Sequence, residues 1–194
     1  MVWKTRQLIP PLGALLCLLF SQAGLANDDC YRADATDGEL VFSGIADGSP
    51  FSGEFGEFDV TVCLSDGSLD GGEIRVTVAT ASASVGNSMG DRALKDEELF
   101  FVERFPEAVW TSDRIAADGE GFLAEGRLDL RGISADQTVR LRMTDNGESM
   151  RLAGGADILR LDYRVGLGEF EDTEFIHNQV DLEFDLELRP ADSE

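Results

Sequence analysis

From Val180 to Leu188 the chain alternates without a break. Val180, Leu182, Phe184, Leu186 and Leu188 are apolar, and Asp181, Glu183, Asp185, Glu187 and Arg189 carry charge. A period of two places one set on each face of an extended strand, whereas a helix would scatter the same residues around its surface. Such a segment is a half-buried β-strand. The pattern recurs. In Gly121–Leu130, Phe122, Ala124, Gly126, Leu128 and Leu130 alternate with Glu125, Arg127 and Asp129. In 136–144, Val139, Leu141 and Met143 alternate with Thr138, Arg140 and Arg142, and Ile74, Val76 and Val78 alternate with Glu73, Arg75 and Thr77. Segments 39–45, 51–64, 108–117 and 149–159 are further strand candidates.

Turn chemistry separates these runs. Asp118-Gly119 and Asn146-Gly147 are favoured hairpin centres, and Asp66-Gly67 and Gly71-Gly72 mark other turns. Within 51–64 the apolar phase moves from odd to even positions around Gly56, which a glycine-associated bulge or bend explains. Residues 91–102 break the pattern. Leu94, Leu99 and Phe101 stand among Arg92, Lys95, Asp96, Glu97 and Glu98, with no β-branched residue before Val102 and with Pro106 beyond. A short helix is expected there. The fold class expected is all-β, an eight-stranded antiparallel up-and-down barrel with one helical insert. A sandwich is the rival. An eight-stranded barrel either fills its interior with side chains or leaves room for one ligand.

Composition narrows the function classes. A chain of 194 residues with 43% hydrophobic side chains supports one domain, or at most two small ones. Its 38 acidic and 16 basic residues give a net charge of -22, which repels nucleic acid and anionic membrane surfaces. A single histidine, His177, rules out a histidine-rich metal site.

The first 26 residues read as a secretory leader: Lys4 and Arg6, an apolar run from Leu8 to Phe20, then small residues with Gly24 and Ala26 before the cleavage point. The run is too short to span a bilayer and holds Pro10 and Pro11. The expectation is export to a bacterial periplasm, with no stable membrane insertion once the leader is gone. Cys17 and Cys30 lack a lipobox. Cys30 and Cys63 would then remain, and an oxidising compartment permits a disulfide closing a loop of about 33 residues, worth about 3 to 4 kcal/mol. Two separate buried thiols are the alternative.

Four motifs, taken in order, carry a resemblance. Residues 48–58 read GSPFSGEFGEF, 90–110 read GDRALKDEELFFVERFPEAVW, 126–133 read GRLDLRGI, and 160–173 read RLDYRVGLGEFEDT before the closing strand VDLEFDLEL. Together they resemble the YceI family of exported, lipocalin-like, polyisoprenoid-binding proteins, over residues 37–189. The resemblance implies a barrel whose apolar lumen holds a long isoprenoid chain of a polyprenyl lipid or quinone. The expected division is a leader (1–26), an N-terminal segment (27–36), the barrel (37–189) and a tail (190–194). In the family pattern an arginine precedes Asp91, where this chain has Gly90. Arg92 could supply a displaced guanidinium, so Asp91 and Arg92 are the candidates for a polar mouth.

Candidate lumen residues come from the alternating faces: Phe42, Phe58, Val60, Val62, Ile74, Val76, Val78, Trp110, Phe122, Leu128, Val139, Leu141, Met143, Phe184 and Leu186. The same side chains could simply fill a closed core. Leu99, Phe100 and Phe101 either cap one barrel end or pack the helix onto the sheet. Catalysis finds little support. Gly86–Gly90 matches G-x-S-x-G around Ser88, and Asp162 or Asp172 and then His177 follow, but that motif needs a strand–turn–helix in an alternating βα chain. Asp66, Ser68 and Asp70 resemble the start of a calcium loop, yet Thr77 stands where a glutamate is required. No catalytic residue, metal site or resident cofactor is assigned, other than a bound isoprenoid lipid or quinone, and no protein partner is named. The leading reading is a non-enzymatic isoprenoid-binding protein acting as carrier, store or sensor. A structural barrel with a filled core is the alternative.

Overall fold

The computed structural model describes Met1 and residues 29–191, apart from 146 and 148. Residues 2–26 of the leader, Asn146 of the expected turn and residues 192–194 of the tail lie outside the described residues. Among the described residues eleven strands form one sheet: β1 (Asp29–Asp34), β2 (Gly38–Ala46), β3 (Ser49–Phe55), β4 (Phe58–Ser65), β5 (Ser68–Ala79), β6 (Ala83–Ser84), β7 (Glu107–Asp118), β8 (Gly121–Leu130), β9 (Ile133–Asp145), β10 (Met150–Leu159) and β11 (Gln179–Pro190). Neighbouring strands are antiparallel throughout. The ring β1-β4-β5-β7-β8-β9-β10-β11 closes through β1–β11, which is an eight-stranded barrel. A sandwich is excluded.

Two staves of the barrel are broken. β1 and β2 both run along β11, with Arg32 opposite Arg189 and Phe42 opposite Leu182. Likewise β4 pairs with β1 while β3 pairs with β2. The break between β3 and β4 falls at Gly56-Glu57, where the hydrophobic phase changes. Because the break resets the alternation, Phe51 and Phe55 before it and Phe58 and Val60 after it all face the barrel interior.

Residues 29–34, which the sequence reading sets apart from the barrel, form β1. Short and half charged, DCYRAD offers little alternation, yet Ala33 is buried and Cys30 stands opposite Cys63. Those two cysteines form a disulfide.

The turns differ in detail from expectation. Asp66-Gly67 is a two-residue hairpin with both residues at positive φ. Gly71-Gly72 lies inside β5, beside a bulge opposite Cys63–Ser65, rather than at a turn. Asp118 pairs with Gly121, so Gly119 and Glu120 are the hairpin centre.

The insert is a shorter helix than expected, α1 (Ser88–Lys95). It starts earlier because the Asn87 side chain caps it, accepting from the Gly90 N–H at 2.9 Å. It stops at Lys95 because Asp96, Glu97 and Glu98 would place negative charge at the negative end of the helix dipole. From Asp96 to Phe101 the chain runs in turns, with Phe101 at φ 51°. No helix among the described residues is long and apolar enough to cross a membrane.

The hairpin end of the barrel is plugged. Val62, Leu64, Leu69, Ile115 and Leu188 are buried there in the apolar core. The opposite end carries two long connections, the segment through α1 and residues 160–178, with the two-residue β2–β3 turn and Arg131-Gly132 hairpin beside them.

Candidate functional site

Strands β7 to β9 are 10 to 13 residues long, about 33 to 43 Å at 3.3 Å per residue. Above the plug their inward faces enclose a cavity of about 560 Å³. Its polar side chains are Ser52, Thr80, Asn87 and Arg160, together with the Trp110 indole. Ser52 and Asn87 are exposed, so the cavity meets solvent between β3 and the start of α1.

The space exists because the largest inward side chains lie over glycines. Phe42 faces Gly53, Phe51 faces Gly44, and Phe184 faces Gly154 as direct cross-strand partners. Trp110 lies over Gly126 on the next strand. A Cβ added to these glycines would stand 2.3 Å from the Phe42 ring, 2.9 Å from Phe51, 2.8 Å from Phe184 and 2.8 Å from the Trp110 indole. Without those Cβ atoms the rings lie against the wall instead of crossing the lumen. Trp110 also donates its indole N–H to the Gln137 carbonyl at 3.1 Å, which fixes the ring along the wall. Near the mouth, Phe42, Phe51, Phe55 and Phe100 form a chain of rings with centroids 5.1 to 6.4 Å apart.

Most of the sequence candidates lie in this wall: Phe42, Phe58, Val60, Ile74, Val76, Val78, Trp110, Leu128, Val139, Leu141, Phe184 and Leu186. Three do not. Val62 is wholly buried in the plug, and Phe122 and Met143 pack against the same core. Alternation assigns a residue to the inner face but not to a depth along the barrel. Of the proposed cap, Leu99 and Phe100 line the cavity. Phe101 turns away at positive φ and sets its ring against Phe105, centroids 6.0 Å apart.

Asp91 and Arg92 do not form a polar mouth. Asp91 accepts from the Val85 N–H at 2.7 Å and from the Ser84 hydroxyl at 3.0 Å, which ties α1 to β6. Arg92 is exposed outside the wall. Gly90 itself lines the cavity, and a Cβ there would meet Val85 Cγ2 at 2.4 Å. Ser88 is exposed in the first turn of α1 and His177 is exposed in the 160–178 connection; no hydrogen bond among the described residues links them to each other or to Asp162 or Asp172.

Sequence reasoning missed Arg160. The residue is buried and lines the cavity. It donates to the carbonyls of Val165, Gly166, Ile176 and His177, holding the 160–178 connection over the barrel end. Burial pushes its pKa down. The structure ties it to Gly166: at φ +89°, a Cβ there would stand 2.0 Å from Arg160 Nη1, so the arginine requires glycine six residues on. Arg131 is a second buried guanidinium, outside the cavity wall. It donates to the carbonyls of Glu97 and Arg164, and its Nε is buried without a partner. Burial lowers its pKa too, against the attraction of Glu97.

Comparison with known proteins agrees with this architecture. A UPF0312 protein of Yersinia enterocolitica is 26% identical over 95 residues, 49% of this chain and 50% of that protein. The chain thus spans about half the length of the curated relatives it matches. The crystal structure of Burkholderia cenocepacia BcnA matches with a TM-score of 0.75 and 25% identity, over 80% of this chain and 98% of that one. A polyisoprenoid binding domain from Saccharophagus degradans shares the fold at a TM-score of 0.61 and 19% identity, over 83% of this chain and 98% of that one. The Campylobacter jejuni YCEI protein does so at 0.65 and 18%, over 75% of this chain and 87% of that one. The family model for the YceI-like domain matches residues 31–188, and the chain belongs to that family.

Proposed function

We propose that this barrel is an exported binding protein that holds an apolar isoprenoid chain in its lumen, as carrier, store or sensor of a prenylated lipid or quinone. The observation that carries the reading is the cavity of about 560 Å³, walled almost wholly by apolar side chains and open beside α1. A flexible apolar chain leaving water gains about 0.8 kcal/mol per buried CH₂, so a dry lumen suffices to bind it. The Saccharophagus protein of the same fold is described as a polyisoprenoid binding domain, which favours this ligand class. A barrel filled by its own side chains is at odds with the open lumen. Export rests on the leader pattern of residues 1–26 and accords with the Cys30–Cys63 disulfide.

Native mass spectrometry of gently purified protein tests the proposal. A bound prenyl lipid, or stoichiometric uptake of a polyprenol offered in detergent, is expected. Protein that is empty and refuses such chains would overturn it.

A further inference from the structure

Arg160 is 4% exposed, yet its side chain belongs to the cavity wall. Nε donates to His177 O at 3.0 Å, Nη1 to Val165 O at 3.0 Å and Gly166 O at 3.3 Å, and Nη2 to Ile176 O at 2.7 Å. A guanidinium carries five N–H donors in a fixed planar fork, so Nη2 keeps one N–H beyond these bonds. No carboxylate pairs with Arg160 among the described residues, although the chain holds 38 acidic side chains. The carbonyl dipoles satisfy most of its donors but leave its unit charge uncompensated. A buried charge without a counter-charge is costly, and a pure hydrocarbon in the lumen would only add to that cost. Arg131, the other buried guanidinium, performs a purely local clamp away from the lumen.

We infer that Arg160 anchors an electron-rich oxygen on the head of the isoprenoid chain, so that the ligand is an amphiphile seated head-first against the 160–178 connection with its tail toward the plugged end. The oxygen belongs to a carbonyl, carboxylate, phenolic or phosphate group. The inference rests on the lumen being an isoprenoid site. It adds selectivity, since an uncharged wall would rank ligands by apolar bulk alone, and it sets the ligand's direction. Arg160 thereby joins two roles: its bonds to four carbonyls hold the connection in place, and its remaining N–H and charge are left for the ligand.

Two probes of equal skeleton test this: phytanic acid, a branched isoprenoid acid, and phytane, the matching hydrocarbon. Binding of both is measured to the intact protein and to Arg160→Met, and the acid-to-hydrocarbon affinity ratio is compared. Comparing ratios cancels the different hydration of the free ligands. The ratio is expected to fall about tenfold or more in the variant. An unchanged ratio would overturn the anchor. Binding of neither probe to the intact protein would instead overturn the isoprenoid reading itself.

The variant could loosen the 160–178 connection, so a second measurement uses the intact protein alone. Carboxyl-labelled phytanic acid is titrated by NMR in the complex. A carboxylate beside Arg160 has its pKa pushed below that of the free acid, whereas burial in an apolar lumen without a cation raises it. A raised or unshifted value would contradict the anchor.

Discussion

Gly44 and Phe51 face each other across the β2–β3 ladder, and a Cβ on Gly44 would stand 2.9 Å from the Phe51 ring, with no other atom nearer than 3.7 Å. The same relation at Gly53, Gly126 and Gly154 involves backbone atoms as well as rings. Gly44 is therefore the position where the glycine's effect on the lumen separates from its effect on the backbone. Gly44→Ala is expected to tilt Phe51 into the cavity and weaken chain binding several-fold, while stability changes by less than about 1 kcal/mol. Gly154→Ala, whose Cβ would also stand 2.1 Å from the Arg140 carbonyl oxygen, is expected to lose about 1 to 3 kcal/mol by overpacking. Binding and denaturant titrations of the two variants check the contrast.

Lumen size sets a chain length. At about 30 Å³ per water-sized unit, a cavity of about 560 Å³ takes on the order of 19 CH₂-sized groups, about four isoprene units. Affinity in a series of prenols of increasing length is expected to climb through about 20 carbons and then flatten, because later units stay in water. Calorimetry across the series shows the break. Affinity that keeps rising steadily well past that length would mean the lumen extends through the plug.

The closing strand is held by its disulfide. β1 meets β11 through Tyr31 opposite Pro190, Arg32 opposite Arg189 and the Arg189–Asp34 ion pair, while Cys30–Cys63 staples its start to β4 over a sequence separation of 33. Replacing both cysteines by alanine is expected to lower stability by up to about 3 to 4 kcal/mol. Amide exchange in residues 29–34 should rise ahead of the rest of the barrel. Unchanged protection of β1 would show that strand pairing alone closes the ring.

Acid stability follows from two exposed carboxylates. Hydrogen bonds from the Arg151 guanidinium hold the Asp185 carboxyl below the usual carboxylate range, and bonds from the Thr36 side chain and N–H, with Arg189 adding, do the same for Asp34. A depressed pKa contributes stability above the unfolded-state value, near 3.9, and that contribution is lost as pH falls through the lower folded value. Meanwhile the net charge of -22 repels itself most at neutral pH. Tm is expected to hold or rise from about pH 7 to 5 and to fall below about pH 4. Arg151→Ala should remove a small contribution that is fully present at neutral pH and make the fall below about pH 4 shallower, so that variant and parent converge in acid. A fall in Tm beginning between pH 7 and 5 would contradict this balance.

The sequence makes the strands legible because its alternation is nearly uninterrupted in β8, β9 and β11; so many one-sided strands favour a closed ring, but the same pattern also suits a sandwich, and only the β1–β11 pairing separates the two. β1 escapes because three of its six residues are charged, and its burial comes from pairing with β4 and β11 rather than from its own pattern. Most wall residues are readable for the same reason as the strands. Val62, Phe122 and Met143 are misplaced because a period of two is blind to position along the barrel axis. Phe51 and Phe55 are missed as lumen residues although the phase change at Gly56 is legible, because a bulge or bend does not by itself say that the segment before it keeps the inner face. Arg160 is missed because a charged residue at a strand end reads as solvent-facing. Only the crowding at Gly166 marks it as buried.

The most direct test of an open, chain-binding lumen uses Trp110, which lies in the cavity wall. Titrating the protein with a prenylated quinone of about four isoprene units, a quencher of indole emission, should give saturable quenching at one ligand per chain that disappears in Trp110→Phe. Emission that does not change, or quenching that is unsaturable and identical in the variant, would contradict an accessible cavity beside that indole.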